Sequence, residues 1–230
     1  VNSMALTLPR REFVDPFGGL RDLEDKVLKT PGKPEDSFGD DPLRMLRGAR
    51  FASQLGFEIE PATFEAMQSM RQRLDIVSAE RIQVELQKLM LGENPRMGLE
   101  ALVDSGLAEI ILPELPALKL ETDEHHHHKD VYQHTLTVVE QAIDYEKDYN
   151  LEPDFVLRFA ALLHDIGKPA TRKLEPGGAV SFYHHDVVGA KLASKRMKAL
   201  RFDNDTTKAV SKLVELHLRF FGYSDQAWTD

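Results

Sequence analysis

Residues 40–52 read Asp-Asp-Pro-Leu-Arg-Met-Leu-Arg-Gly-Ala-Arg-Phe-Ala, and this stretch splits into two helical faces. Asp41 suits a helix cap, and Pro42 suits the first turn, where a missing N–H costs nothing because that donor has no helical partner. Leu43, Leu46 and Arg50, with Met45 and Ala49 beside them, recur three and four residues apart and form a mostly apolar stripe for packing. Asp41, Arg44 and Arg47 lie three apart and set a carboxylate and two guanidinium forks along the other edge. Fixed donors beside acceptors can match the hydrogen-bonding edge of a nucleobase; the alternative is a capped helix carrying a surface ion pair.

Outward from this stretch the helical period continues. Gly56, Pro61 and Asp75 break it, Ser78 opens a strong amphipathic helix with Ile82, Leu86, Leu89 and Met90 on its apolar face, and Pro95 opens another that Gly106 closes. In the helix opened by Ser78, Glu85 is expected to pair with Lys88 or Arg81 along the surface, and the capping box from Ser78 is incomplete because Arg81 stands where Glu or Gln belongs. Before residue 40, Met4, Leu6 and Leu8 alternate ahead of Pro9, and with 12–14 they predict a short hairpin, followed by an Asp-Pro-Phe-Gly-Gly turn at 15–19. Residues 19–28 read as a short helix or turn pair and 30–34 as a loop.

Composition bounds the chemistry. At 230 residues with 42% hydrophobic and 29% charged side chains, the chain suits one or two globular domains. No run is long enough for a membrane span and no signal peptide is visible, so a cytoplasmic setting is expected. The absence of cysteine excludes disulfides, thiolate ligands and cysteine nucleophiles, so any metal must use His and carboxylate. A net charge of -9 argues against indiscriminate nucleic-acid binding. A local basic surface stays open, because Arg10, Arg11, Arg44, Arg47, Arg50, Arg71, Arg73 and Arg81 all fall early in the chain.

The 40–52 stretch resembles the Glu/Asp-Asp-x-x-Arg motif of the CCA-adding tRNA nucleotidyltransferase and bacterial poly(A) polymerase family (class II). Residues 1–6, Val-Asn-Ser-Met-Ala-Leu, resemble the end of that family's Arg-Arg-Asp-Phe-Thr-x-Asn-Ala-Met strand. Residues 14–23, Val-Asp-Pro-Phe-Gly-Gly-Leu-Arg-Asp-Leu, resemble its Asp-Pro-x-x-Gly-x-x-Asp-Leu turn, and 78–89 its Ser-x-Glu-Arg-Ile-x-x-Glu-Leu-x-Lys helix. The resemblance implies a mainly α chain: the last hairpin of a nucleotidyltransferase head over 1–31, a helical neck and body over 32–115, and a helical HD-type domain over 116–230. It further implies that Asp41, Arg44 and Arg47 bind the incoming CTP or ATP, that Arg50, Arg81 and Lys88 contact tRNA near its 3' end, and that Mg2+ serves transfer. The head's Gly-Ser turn and catalytic Asp pair are not among these residues. The one Asp-x-Asp, at 203–205, reads as a helix cap or a loop, and the chain as a fragment of a longer enzyme.

Histidines appear past 113–120, where the domain boundary is expected. Four in a row occupy 125–128, within a segment resembling the family's His-His-x-Asp-Val-Tyr-x-His. A helix over 131–143 carries His134, and a very apolar one over 155–164 ends in Leu-Leu-His-Asp-Ile-Gly-Lys. A His followed directly by Asp at the end of a buried helix demands partners, and a divalent cation supplies them. Imidazole with carboxylate suits Mn, Fe, Co, Ni, Zn or Mg. His134 with His164 and Asp165 resembles the HD phosphohydrolase site, with His185 and His217 as second-tier ligands and no well-placed downstream Asp before Asp225. Lys168 is either a phosphate contact or a helix-end lysine. Two functions follow: CCA addition to tRNA 3' ends, or metal-dependent hydrolysis of a 2',3'-cyclic phosphate or nucleotide.

Overall fold

The computed structural model describes residues 3–120, 130–178 and 180–220, and it divides into two compact units, Val1–Ile111 and Leu112–Asp230. Both are mainly helical, with three two-stranded β pairs among the described residues. The tract 125–128 and Asp225 lie outside the described residues.

Unit 1 opens with β1 (Ala5–Leu6) antiparallel to β2 (Phe13–Val14), Ala5 facing Val14. Asp15 then accepts hydrogen bonds from the Gly19 and Leu20 N–H groups at 2.7 and 2.8 Å, closing the start of α1 (Gly19–Glu24). Those backbone donors hold the Asp15 carboxyl below its ordinary range. β3 (Val27–Leu28) leads to α2 (Pro34–Asp40) and α3 (Leu43–Leu55), after which β4 (Glu58–Ile59) returns to pair with β3 in parallel. The loop expected over 30–34 ends where α2 begins, since Pro34 starts that helix by fixing φ at its first position.

α4 (Pro61–Met70), a 3-10 stretch (Arg71–Ile76), α5 (Ala79–Met90), α6 (Pro95–Asp104) and α7 (Leu107–Ile111) complete the unit. α3 lies against α5 and α6, and Met45, Ala49, Leu86, Leu89, Met90 and Leu99 are buried. Gly98 permits this approach: a Cβ there would stand 2.8 Å from the Ala49 carbonyl oxygen. Gly106 adopts φ +78° and separates α6 from α7.

Unit 2 contains α8 (Glu114–Ala117), α9 (Val131–Asp148), α10 (Phe155–Leu163), α11 (Lys168–Thr171), the antiparallel pair β5 (Lys173–Leu174) and β6 (Val180–Ser181), α12 (His185–Ala199) and α13 (Asn204–Leu216). Aspartates cap three of these helices: Asp130 accepts from Tyr132 N–H, Asp154 from Val156 N–H and Asp203 from Thr206 N–H. α10 packs on α9 and α13, and α13 on α12. Phe155, Phe159 and Phe202 stack at the base with centroids 4.9 to 5.7 Å apart.

Across α9 and α10 the Arg158 fork meets Glu146 at 2.6 to 3.1 Å, with side chains only 4% and 3% exposed. Glu146 also accepts from Asp154 N–H. Removing one partner of such a pair strands a buried charge, so Arg158→Met is expected to destabilise unit 2 by about 3–5 kcal/mol. Urea unfolding of the variant checks this, and a midpoint like wild type would contradict it.

Candidate functional site

In unit 1 Asp41 does not share the helical edge with Arg44 that their spacing suggests, nor do the two form an ion pair. Asp41 precedes the helix in extended backbone, φ -145° and ψ 100°, so its three-residue spacing from Arg44 is not a helical spacing. Its carboxylate instead accepts from Leu43 N–H at 3.2 Å and grips Arg81 of α5 at 2.9 and 3.2 Å. Arg44, exposed, donates from Nη1 to the Ser37 carbonyl and hydroxyl at 3.2 and 3.0 Å. Arg44 and Arg47 line a cleft of about 490 Å3, together with Asp22, Lys29, Phe38 and Phe51. Asp22 and Lys29 form an ion pair at 2.8 Å, which raises the Lys29 pKa. Asp41 stands outside that lining, part-exposed beside it in sequence.

Three basic residues were expected at an RNA surface, and they divide. Arg50 turns inward: Nε lies 3.1 Å from Glu85, the two side chains are 11% and 10% exposed, and the guanidinium covers the Phe51 ring at 4.1 Å. Its place on the apolar stripe of α3 decides this, and it overturns the surface pairing expected for Glu85. Arg81 is half-exposed but committed to Asp41. Lys88 is exposed.

In unit 2, α9, α10, α12 and the end of α13 bring five side chains to one point. His164 Nδ1 lies 2.8 Å from the Ala161 carbonyl, His185 Nδ1 2.8 Å from that of Phe182, and His217 Nδ1 2.6 Å from that of Val214. A carbonyl oxygen only accepts, so each Nδ1 carries the proton and each Nε2 presents a lone pair. All three Nε2 atoms face Asp165, at 3.1, 3.3 and 3.9 Å, and His134 Nε2 stands at 4.0 Å. The Nε2 atoms of His185 and His217 are 3.2 Å apart.

Acceptors converging on acceptors at these distances repel unless a cation lies among them. Asp165 Oδ2 is buried without a well-directed hydrogen bond, although Lys168 Nζ lies 3.0 Å away. The donor atoms form two sets, His134 with His164 and Asp165, and Asp165 with His185 and His217, each within 4.8 Å. A site of neutral imidazoles and a shared carboxylate thus fits one or two divalent ions.

Burial would raise the Asp165 carboxyl, but with no cation bound, hydrogen bonds from His164 and His185 once their Nε2 atoms take up a second proton, together with the charge of Lys168, outweigh it and hold it well below the carboxylate range. Burial holds His217 below the ordinary histidine value, whereas for His185 the Asp165 carboxylate overcomes burial and raises it. The centre opens on a cavity of about 930 Å3 whose walls include Val138, Leu157, Ala161 and Leu213.

Two family models match the chain: "Probable RNA and SrmB- binding site of polymerase A" over residues 56–118 and "HD domain" over 131–227. The A-adding tRNA nucleotidyltransferase of Deinococcus radiodurans is 36% identical over 224 residues, which cover 95% of this chain and 50% of that protein. The Multifunctional CCA protein of Actinobacillus pleuropneumoniae is 36% identical over 214 residues, 90% of this chain and 50% of that protein. Among solved structures, a tRNA-processing enzyme in an apo form aligns with TM-score 0.63 at 19% identity, over 95% of this chain and 51% of that one. A tRNA nucleotidyltransferase complexed with a primer tRNA and an incoming ATP analog aligns at TM-score 0.60 and 21% identity, over 97% of this chain and 56% of that one. The chain spans about half the length of the curated relatives it matches. A segment matching the RNA-binding model is thus followed by one matching the HD domain, and over 90% or more of its length the chain is similar to one half of A-adding and CCA-adding tRNA nucleotidyltransferases.

Proposed function

We propose that unit 1 selects the nucleotide and holds the RNA in a tRNA nucleotidyltransferase that builds CCA 3' ends. The observation that carries this is the cleft edged by Arg44 and Arg47 at the start of α3, where Arg44 is held by exposed contacts to Ser37 and a long, exposed ion pair with Asp40 at 4.0 Å. Such contacts are exchanged at little cost, so Arg44 can turn its fork to a base. Arg81, by gripping Asp41, keeps that carboxylate beside the same helix start. Arg47 supports the nucleotide within the cleft, and Lys88 offers an exposed cation to the RNA backbone; Arg50 serves packing instead. Residues outside this chain would supply the Mg2+-dependent transfer chemistry.

The test uses the full-length protein, tRNA lacking its terminal CCA, and labelled CTP or ATP. Incorporation at the tRNA 3' end is expected with both nucleotides. Protein that cleaves a 2',3'-cyclic phosphate but labels no tRNA would overturn the reading.

A second activity is favoured by the His and Asp cluster of unit 2. His134, His164, Asp165, His185 and His217 would hold one or two divalent ions, and Lys168, buried against Asp165, would neutralise a phosphate oxygen. A divalent ion bound there supplies a water of lowered pKa for attack on a phosphate ester. The Nδ1–H bonds to backbone carbonyls hold the imidazoles in the ligating tautomer, and the apolar wall excludes bulk water.

A further inference from the structure

We propose that the outer face of α12 is an RNA-backbone contact, in which Lys191, Lys195 and Lys198 each meet a phosphate. The inference rests on the RNA partner proposed above and extends the RNA footprint beyond the matched RNA-binding segment at 56–118. The chain carries 38 acidic against 29 basic side chains, yet Lys191, Lys195, Arg196, Lys198 and Arg201 stand between Asp186 and Asp203 with no acid among them. Acids of unit 2 gather elsewhere, with Glu140, Asp144, Glu146 and Asp148 all on α9.

Packing sets the direction of the row. Gly189, Ala193 and Met197 form the buried side of α12, and Lys191, Lys195 and Lys198 are exposed. Spaced four and three residues apart, the lysines share one side and span about 10 Å of helix. Arg196 is spent on Glu114, which accepts from its Nε at 2.9 and 3.0 Å.

No carboxylate of the described residues lies within 4.0 Å of the three lysines, although Arg21, Lys29, Arg71 and Lys212 each have one. Unneutralised cations in a row on an acidic chain concentrate attraction for a polyanion on one strip. A membrane surface fits poorly. A helix lying in a lipid interface needs large apolar side chains flanking its cations. Here the other exposed positions of α12 are Val187, in its first turn, and Ala199 at its end.

The test measures binding of full-length protein to tRNA lacking CCA by fluorescence anisotropy over a salt series, so it does not depend on transfer. Lys191→Ala/Lys195→Ala/Lys198→Ala is expected to bind at least tenfold more weakly at low salt. Its slope of log affinity against log salt should be shallower by about two to three, one unit or slightly less per phosphate lost. The corresponding triple arginine variant restores both. Circular dichroism like wild type is expected, because alanine favours a helix. The proposal is overturned if affinity and slope match wild type, if wild type binds no tRNA, or if the alanine variant loses only binding to anionic vesicles. Loss of tRNA labelling with anisotropy as expected would refute the transferase reading and leave this contact standing.

Discussion

Asp165→Asn is expected to abolish divalent-metal binding by unit 2, and with it hydrolysis of phosphate esters. Asp165 belongs to both donor sets, so no ion can be held in either without it. Asparagine keeps the volume but removes the negative charge that a divalent ion would need beside the His164 and His185 Nε2 atoms, which stand 3.1 and 3.3 Å away. Its amide also gives the imidazole lone pairs a donor, which favours the metal-free state further. Elemental analysis after dialysis checks this: wild type should retain one or two equivalents and the variant fewer than a tenth as many. Equal content would remove the metal centre from the account. His217→Ala should cost only the set of Asp165, His185 and His217, leaving roughly half the content where two ions bind.

Gly167→Ala is the second large effect expected. Gly167 sits at φ -79° and ψ -17°, a conformation any residue adopts, so the substitution tests space alone. A Cβ there would collide with the His185 carbonyl and stand 2.7 Å from Gly189 N. These neighbours are backbone, and yielding means separating the turn after Asp165 from the first turn of α12. Overpacking of this kind costs about 3 kcal/mol, at the upper end of its usual range. Unit 2 should then melt roughly 10 °C or more below wild type. Because His185 moves with that turn, metal affinity should fall as well. An unchanged melting temperature would show that α12 is less closely seated than its contacts indicate.

The helical character of this chain was legible because faces repeat locally. The apolar stripe from Leu43 to Ala49 reads directly as the buried side of α3, and of the two readings open for Asp203, cap or loop, the cap is the one that forms. Partners were less legible, because periodicity reports which side is buried and not what covers it. Arg81 meets Asp41 from forty residues away, and Glu85 takes Arg50 inward from thirty-five; neither pairing leaves a trace at three- or four-residue spacing. The parallel pairing of β3 with β4 is hidden for the same reason, since two-residue strands carry no alternation.

The candidate metal ligands show both sides of this. His164 and Asp165 stand out in sequence because two polar groups end an apolar helix. His185 and His217, ranked second from sequence, converge on Asp165 as His134 does. Their Nδ1 bonds each reach back three residues, to Phe182 and Val214, a local pattern that any helix-end histidine can form. Only the tertiary packing of α12 and α13 beside α10 shows that these lone pairs aim at one carboxylate.

The central claim, that Arg44 chooses the nucleotide at a helix start where Arg81 holds Asp41 beside it, is tested most directly by the ratio of CTP to ATP incorporated into tRNA lacking CCA by full-length Asp41→Ala and Arg44→Ala proteins. Loss of a bidentate base contact is worth about 1–3 kcal/mol, so discrimination should fall roughly 5- to 150-fold. Arg81→Ala, which frees Asp41, should fall in the same direction by less. A ratio equal to wild type in both Asp41→Ala and Arg44→Ala would contradict the claim.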